Sequence, residues 1–182
     1  VGVSDLAGEE GFSTLERIWS RPTLDLNGIW GGFQGEGIKT VLPSKACAKI
    51  SCRLVANQDP SEIFECVNMH VKKNLPDGVS FKLKKLSGLA LPFRIPANHK
   101  STMVAGKVLA DVYGKEPFMI RAGASIPILP IFKEILGIDA TVLAFTLDDE
   151  NLHAPNEFFR LSSFSRGQKI YGRLYQLLGD YA

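Results

Sequence analysis

The run Lys45-Ala46-Cys47-Ala48-Lys49-Ile50-Ser51-Cys52-Arg53-Leu54-Val55-Ala56-Asn57-Gln58-Asp59-Pro60-Ser61-Glu62 holds a strand and the start of a helix side by side. Ala46, Ala48, Ile50, Cys52 and Leu54 fall on one side of an extended chain, and Lys45, Lys49, Ser51 and Arg53 on the other. That alternation is the pattern of a half-buried strand. Asp59-Pro60-Ser61-Glu62 then supplies an acidic N-cap, a proline at the first helical position and a glutamate at the third. Each satisfies or dispenses with a backbone N–H that the first turn leaves unpaired. Ile63, Phe64, Val67 and Val71 continue along one face at helical spacing, and the stretch from Asn74 to Gly78 closes the helix.

Upstream, residues 23–30 alternate apolar and polar as a second strand, and a glycine-rich turn follows at 31–37. Before them, Ser13-Thr14-Leu15-Glu16 reads as a capping box that starts a short helix ended by Pro22. Downstream, Val79, Phe81 and Leu83 alternate with lysines as a third strand. The order strand–strand–helix–strand predicts an α+β unit, an antiparallel sheet with helices on one face. The character changes at Pro92-Phe93-Arg94-Ile95-Pro96, which marks a domain crossing. Beyond it the pattern predicts a helix over 100–113 stopped by Gly114, a short strand at 117–121 and a helix from 127 to Gly137. A buried strand, Thr141-Val142-Leu143-Ala144-Phe145, and a last amphipathic helix with Phe164, Ile170, Tyr171, Leu174, Leu177 and Leu178 complete an α/β portion. The expected organisation is a leading segment 1–20, a domain 21–96 and a second 97–182.

Charge and composition narrow the function. With 21 Lys+Arg against 19 Asp+Glu the chain has no basic footprint, so nucleic acid is not an expected partner. No apolar run approaches the ~20 residues of a membrane span. Cys47, Cys52 and Cys66 form no Cys-x-x-Cys pair, and Cys47 and Cys52 point to opposite faces of one strand, so reduced thiols and a cytoplasmic setting are expected. The start Val1-Gly2-Val3-Ser4 is neither a signal peptide nor an initiator methionine, and reads as a processed chain or a fragment.

Three places could carry chemistry. The loop Leu147-Asp148-Asp149-Glu150-Asn151-Leu152-His153-Ala154-Pro155-Asn156-Glu157 follows a strand end, where ligands bind in α/β sheets. His153, among carboxylates able to hold its second ring nitrogen, is placed as a metal ligand would be. On spacing alone a solvated loop histidine is the ordinary alternative, because one histidine is not a metal site. Arg121-Ala122-Gly123-Ala124-Ser125-Ile126-Pro127 turns into a helix start, whose N–H groups suit an anion, or is simply a capped helix with Ser125 as the cap. Arg53 offers a planar fork for a carboxylate, or is an ordinary surface arginine. His70 and His99 have the bland reading, and the glutamates of Gly8-Glu9-Glu10-Gly11 lie in a terminal loop without ligands near them.

The blocks Arg21-Pro22-Thr23-Leu24-Asp25-Leu26-Asn27-Gly28, Gly35-Glu36-Gly37-Ile38-Lys39-Thr40-Val41-Leu42-Pro43 and Ala48-Lys49-Ile50-Ser51-Cys52-Arg53-Leu54-Val55 occur in one order with Gln58-Asp59-Pro60, Arg121 through Pro127 and His153-Ala154-Pro155-Asn156-Glu157. Together they resemble the dimetal peptidases that include carnosine dipeptidases, aminoacylases, succinyl-diaminopimelate desuccinylases and glutamate carboxypeptidases, in the dipeptidase branch. The resemblance implies that 21–96 are most of a lid and dimerisation domain and that 97–182 are the C-terminal part of a zinc-peptidase catalytic domain. It implies hydrolysis of a dipeptide or N-acyl amino-acid amide bond at a centre of two zinc (or manganese) ions. His153 is then one metal ligand, Arg53 holds the substrate carboxylate, and Ser125 with Ala124 contacts substrate. Thr40 is contributed across a homodimer to the neighbouring site. Ala122 and Ala124 depart from the family's Glu and Gly. The family's His-x-Asp motif, bridging aspartate and glutamate pair have no counterpart here, so the chain alone is expected to be inactive. The competing expectation is a non-catalytic dimerisation or peptide-binding module.

Overall fold

The computed structural model describes residues 4–123 and 126–180. They fall into two compact units, Val1–Phe93 with Arg121–Pro130, and Arg94–Ile120 with Ile131–Ala182.

In the first unit, Ser13 and Glu16 form the expected capping box, and helix α1 runs Thr14–Ser20. Pro22 then turns the chain into strand β1 (Thr23–Gly31), which pairs antiparallel with β2 (Ala46–Arg53). The register shifts by one residue between Leu26 and Gly28, leaving Asn27 as a bulge. That extra residue decides the faces. Strict alternation along β1 would have set Trp30 with Leu24 and Leu26, but the bulge substitutes Ile29. Leu24, Leu26 and Ile29 therefore stand opposite Cys52, Ile50 and Ala48 on the apolar face. Trp30 turns to the polar face, where the Lys49 ammonium lies 5.9 Å from its ring centre. The apolar face stays open, with Leu24, Leu26 and Ile29 exposed by 56%, 57% and 72%.

Helix α2 (Pro60–Asn74) begins as its sequence demands. The Asp59 carboxylate accepts from the N–H groups of Ser61 and Glu62 at 2.7 and 3.2 Å. Its half-buried side includes Ile63, Phe64, Val67 and Val71. The segment after it passes alongside, because Lys85 donates to the Ser61 hydroxyl at 3.1 Å and reaches the Phe64 ring.

The second unit centres on helices α3 (Lys100–Tyr113) and α5 (Leu161–Gly179), which pack together. Ala105, Val108 and Ile170 are essentially removed from solvent, and Val104, Gly106, Ser163 and Gly167 are buried with them. Gly106 leaves room for Met119 and Gly167 for the Phe145 ring, each of which lies where a Cβ would reach. Gly114 ends α3 in the left-handed conformation at φ 69° and donates to Ala110. Helix α4 (Ile128–Leu136) ends at Gly137 in the same conformation. His99 is the N-cap residue of α3, but its ring engages the Ser101 hydroxyl at 2.8 Å instead of a backbone N–H. Ser101 in turn meets Thr141 at 2.6 Å.

Three expected strands are corrected. Residues 79–83, 117–121 and 141–145 have no ladder partner among the described residues and are assigned no strand. The 141–145 segment keeps period-two character, since Thr141, Leu143 and Phe145 are half-buried while Val142 and Ala144 are exposed. Phe145 lies against Gly167 and meets the Tyr171 ring edge-on at 5.9 Å. Its pattern is that of a strand, but without a neighbour it is only extended chain. Nor is it buried as expected, because only one face is covered. Among the described residues no helix is long and apolar enough to cross a membrane.

Ile170 fills the centre of the α3–α5 contact with no solvent exposure. Ile170→Ala is expected to lower the unfolding free energy by about 2–5 kcal/mol, from lost burial plus the cavity left behind. Denaturant unfolding checks this, and an unchanged midpoint would place the core elsewhere.

Candidate functional site

Arg53 is the last residue of β2, on the polar face, exposed. Its guanidinium reaches the carbonyl of Gly123 at 3.5 Å, bridging 70 residues of sequence within the first unit. The fold thus joins two of the sequence-derived candidates, the strand arginine and the 121–127 segment. Gly123 itself passes so close to α1 that an added Cβ would overlap the carbonyl oxygen of Ile18. Only glycine fits there. Ala124 and Ser125, the substrate-contacting candidates, lie outside the described residues.

Thr40 sits in the exposed loop that joins β1 to β2. That loop leaves the hairpin at the Gly31–Ala46 end, whereas Arg53 pairs with Thr23 at the opposite end. Seven rises of ~3.3 Å along β2 separate the two ends by about 23 Å. Within that loop Ile38 and Leu42 are 95% and 89% exposed. Arg53 and the start of the loop that carries Thr40 thus stand at opposite ends of the hairpin.

The His153 loop belongs to the second unit and is built around one carboxylate. After Leu147 the chain makes a single 3-10 turn, Asp148–Glu150, and Glu150 is only 1% exposed. One oxygen of Glu150 accepts from the Leu147 N–H at 2.9 Å, and the other from the Arg160 N–H at 3.0 Å. The Arg160 guanidinium closes on that second oxygen at 3.1 Å and grips Asp149 with two bonds of 2.9 and 2.6 Å. The Leu147 N–H first, and then the Arg160 backbone and side chain, hold the Glu150 carboxyl below the usual glutamate range despite the opposing cost of burial. Hydrogen bonds from Arg160 likewise hold Asp149 low. Between these anchors Asn151, His153 and Asn156 all adopt positive φ, of 54°, 61° and 62°. His153 is exposed at the crest.

Neither Glu150 nor Arg160 was singled out from sequence. The acidic run at 148–150 was visible, but nothing in the spacing pointed to an arginine ten positions on. As a test of metal fit, no three His, Cys, Asp or Glu residues converge on a point among the described residues. His153 is accessible as one donor, and an ion held through it needs further donors from elsewhere.

Comparison with known proteins follows this geometry. Residues 3–79 match the family model of the peptidase dimerisation domain. The chain is 30% identical over 164 residues to the Beta-Ala-His dipeptidase of Mus musculus, covering 88% of this chain and 33% of that protein. It is 32% identical over 161 residues to a Cys-Gly metallodipeptidase of Schizosaccharomyces pombe, covering 87% and 34%. In three dimensions it superposes on an M20 family metallo-carboxypeptidase from Sulfolobus solfataricus with a TM-score of 0.77 and 29% identity, over 95% of this chain and 39% of that one. The chain spans about a third of the length of the curated relatives it matches.

The lowered Glu150 and Asp149 carboxyls give the loop an acid limit. A carboxyl depressed in the folded state contributes stability that is complete above its unfolded value, about 4.5 for glutamate, and is lost as pH falls through the lower folded value. The midpoint of thermal unfolding is therefore expected to fall on acidification below that range. Glu150→Gln should remove its share of the slope and leave that of Asp149. An identical slope in the variant would show that Glu150 does not titrate with folding.

Proposed function

This chain belongs to the M20 family of dimetal peptidases, and from that premise we propose that the protein built on it hydrolyses a dipeptide or an N-acyl amino-acid amide bond. The observation that carries the reading is the approach of Arg53 to Gly123, which assembles one substrate-holding corner from two family blocks. Arg53 binds the substrate carboxylate, and its planar fork suits two parallel bonds to that group. Ser125 and Ala124, which lie outside the described residues, contact substrate in this reading. His153 donates one ligand to a centre of two zinc (or manganese) ions, whose other ligands come from the rest of the protein. When bound, that centre supplies an activated water and polarises the amide carbonyl.

Thr40 completes the site of a neighbouring copy. With Arg53 at one end of the hairpin and the Thr40 loop leaving from the other, a homodimer through the 21–96 domain supplies both contacts to one site. The dipeptidase names of the matched relatives support the substrate class. The free thiols support a cytoplasmic setting, with Cys47 and Cys66 exposed.

In the full-length protein, Arg53→Met is expected to lower kcat/KM about 10- to 100-fold, the worth of a charged hydrogen-bonded contact. Arg53→Lys should recover only part of that loss. The loss should vanish for a substrate lacking the carboxylate. Equal losses on both substrates would remove Arg53 from carboxylate recognition. A full-length protein that shows no metal-dependent turnover would favour a binding module instead.

A further inference from the structure

Glu150 is the only charged residue that is buried among the described residues. A carboxylate withdrawn from water stays ionised only where donors replace the water it has lost. Here the donors are the Leu147 N–H, the Arg160 N–H and the Arg160 guanidinium. They tie the two ends of a long loop to one side chain. The Glu150 carbonyl adds a fourth tie by accepting from Phe158 at 3.1 Å, and the Arg160 guanidinium lies 5.0 Å from the Phe158 ring centre. Everything between the ties is open, since residues 151–159 are all exposed. None of these residues is buried, yet three of them hold left-handed backbone that chains seldom adopt unaided.

We propose that Glu150 and Arg160 form a clasp that holds the 151–157 loop in one conformation and so presents the His153 ring in a preset direction. Both are positioning residues, acting through His153 and not on substrate. The inference rests on the proposed role of His153 as a metal donor. In that role a preset ring binds an ion without the loop having to be ordered at the moment of binding. Asp149 steadies the far side of the guanidinium but binds no backbone group outside its own residue, and at 67% exposure it is an auxiliary member.

The test uses full-length protein carrying Glu150→Gln, Arg160→Gln, Arg160→Lys, Asp149→Asn or His153→Ala, each shown by circular dichroism to be folded. Amide exchange over 147–160 is followed by mass spectrometry, and zinc affinity by competition with a chelator. The clasp variants Glu150→Gln and Arg160→Gln should speed exchange across the loop, with α3 and α5 unchanged. They should weaken one zinc equivalent about 10- to 100-fold, as loss of a group orienting a ligand does. Arg160→Lys should recover part of the affinity, and Asp149→Asn should have the smallest effect. His153→Ala should weaken zinc without speeding loop exchange. If it leaves zinc unchanged, the ligand reading fails, and with it the positioning role. If His153→Ala weakens zinc and neither clasp variant does, the ligand stands and the clasp is overturned. Unchanged loop exchange in both clasp variants overturns it equally. Because Glu150→Gln risks misfolding, Arg160→Gln, which leaves the Glu150 backbone bonds in place, decides the matter alone.

Discussion

The ladder between β1 and β2 sets where Arg53 stands and where the loop bearing Thr40 leaves the sheet. Its register carries one extra residue, Asn27, and that single insertion keeps Leu24, Leu26 and Ile29 on the face shared by Ile50 and Ala48. The same ladder places Arg53 at one end of the hairpin and the loop bearing Thr40 at the other. Distance along a strand cannot be shortened by side-chain rearrangement, so the ladder fixes how far Arg53 stands from the end of the hairpin where the Thr40 loop begins. The apolar face left open in one copy is the kind of surface that interfaces cover, in keeping with the proposed homodimer.

The second unit is held by two different means. Helices α3 and α5 pack together and bury Val108 and Ile170, so their contact is apolar and non-directional. The 147–160 loop has no such packing and depends on the directional bonds of Glu150. Directional bonds fix a backbone conformation more narrowly than apolar packing does, which suits the aiming of His153 proposed above.

Local chemistry was legible in the sequence wherever it acted within one turn of chain. The Ser13–Glu16 box, the Asp59-Pro60 start and the Gly114 and Gly137 stops all stand in the structure as their residues imply. What needs a distant partner was not legible. The 79–83, 117–121 and 141–145 segments carry strand patterns, but the pattern cannot supply the neighbour that makes a strand. The Asn27 bulge had a signal in the glycine beside it, because glycine inside a strand often marks such a kink. The meeting of Arg53 with Gly123 and the grip of Arg160 on Glu150 had none, since both depend on where the chain returns.

The account turns on one hairpin serving two sites, and mixing two inactive variants tests this most directly. Full-length Arg53→Met and Thr40→Ala proteins are combined, allowed to exchange subunits, and assayed for dipeptide hydrolysis. In a two-fold dimer, each mixed pair has one site with a native Arg53 from its own chain and a native Thr40 from the partner. Random exchange should then restore about a quarter of wild-type activity, since half of the dimers are mixed and each has one intact site. Activity no greater than the average of the two variants measured alone would mean that Thr40 and Arg53 serve the same chain's site, and would contradict the account.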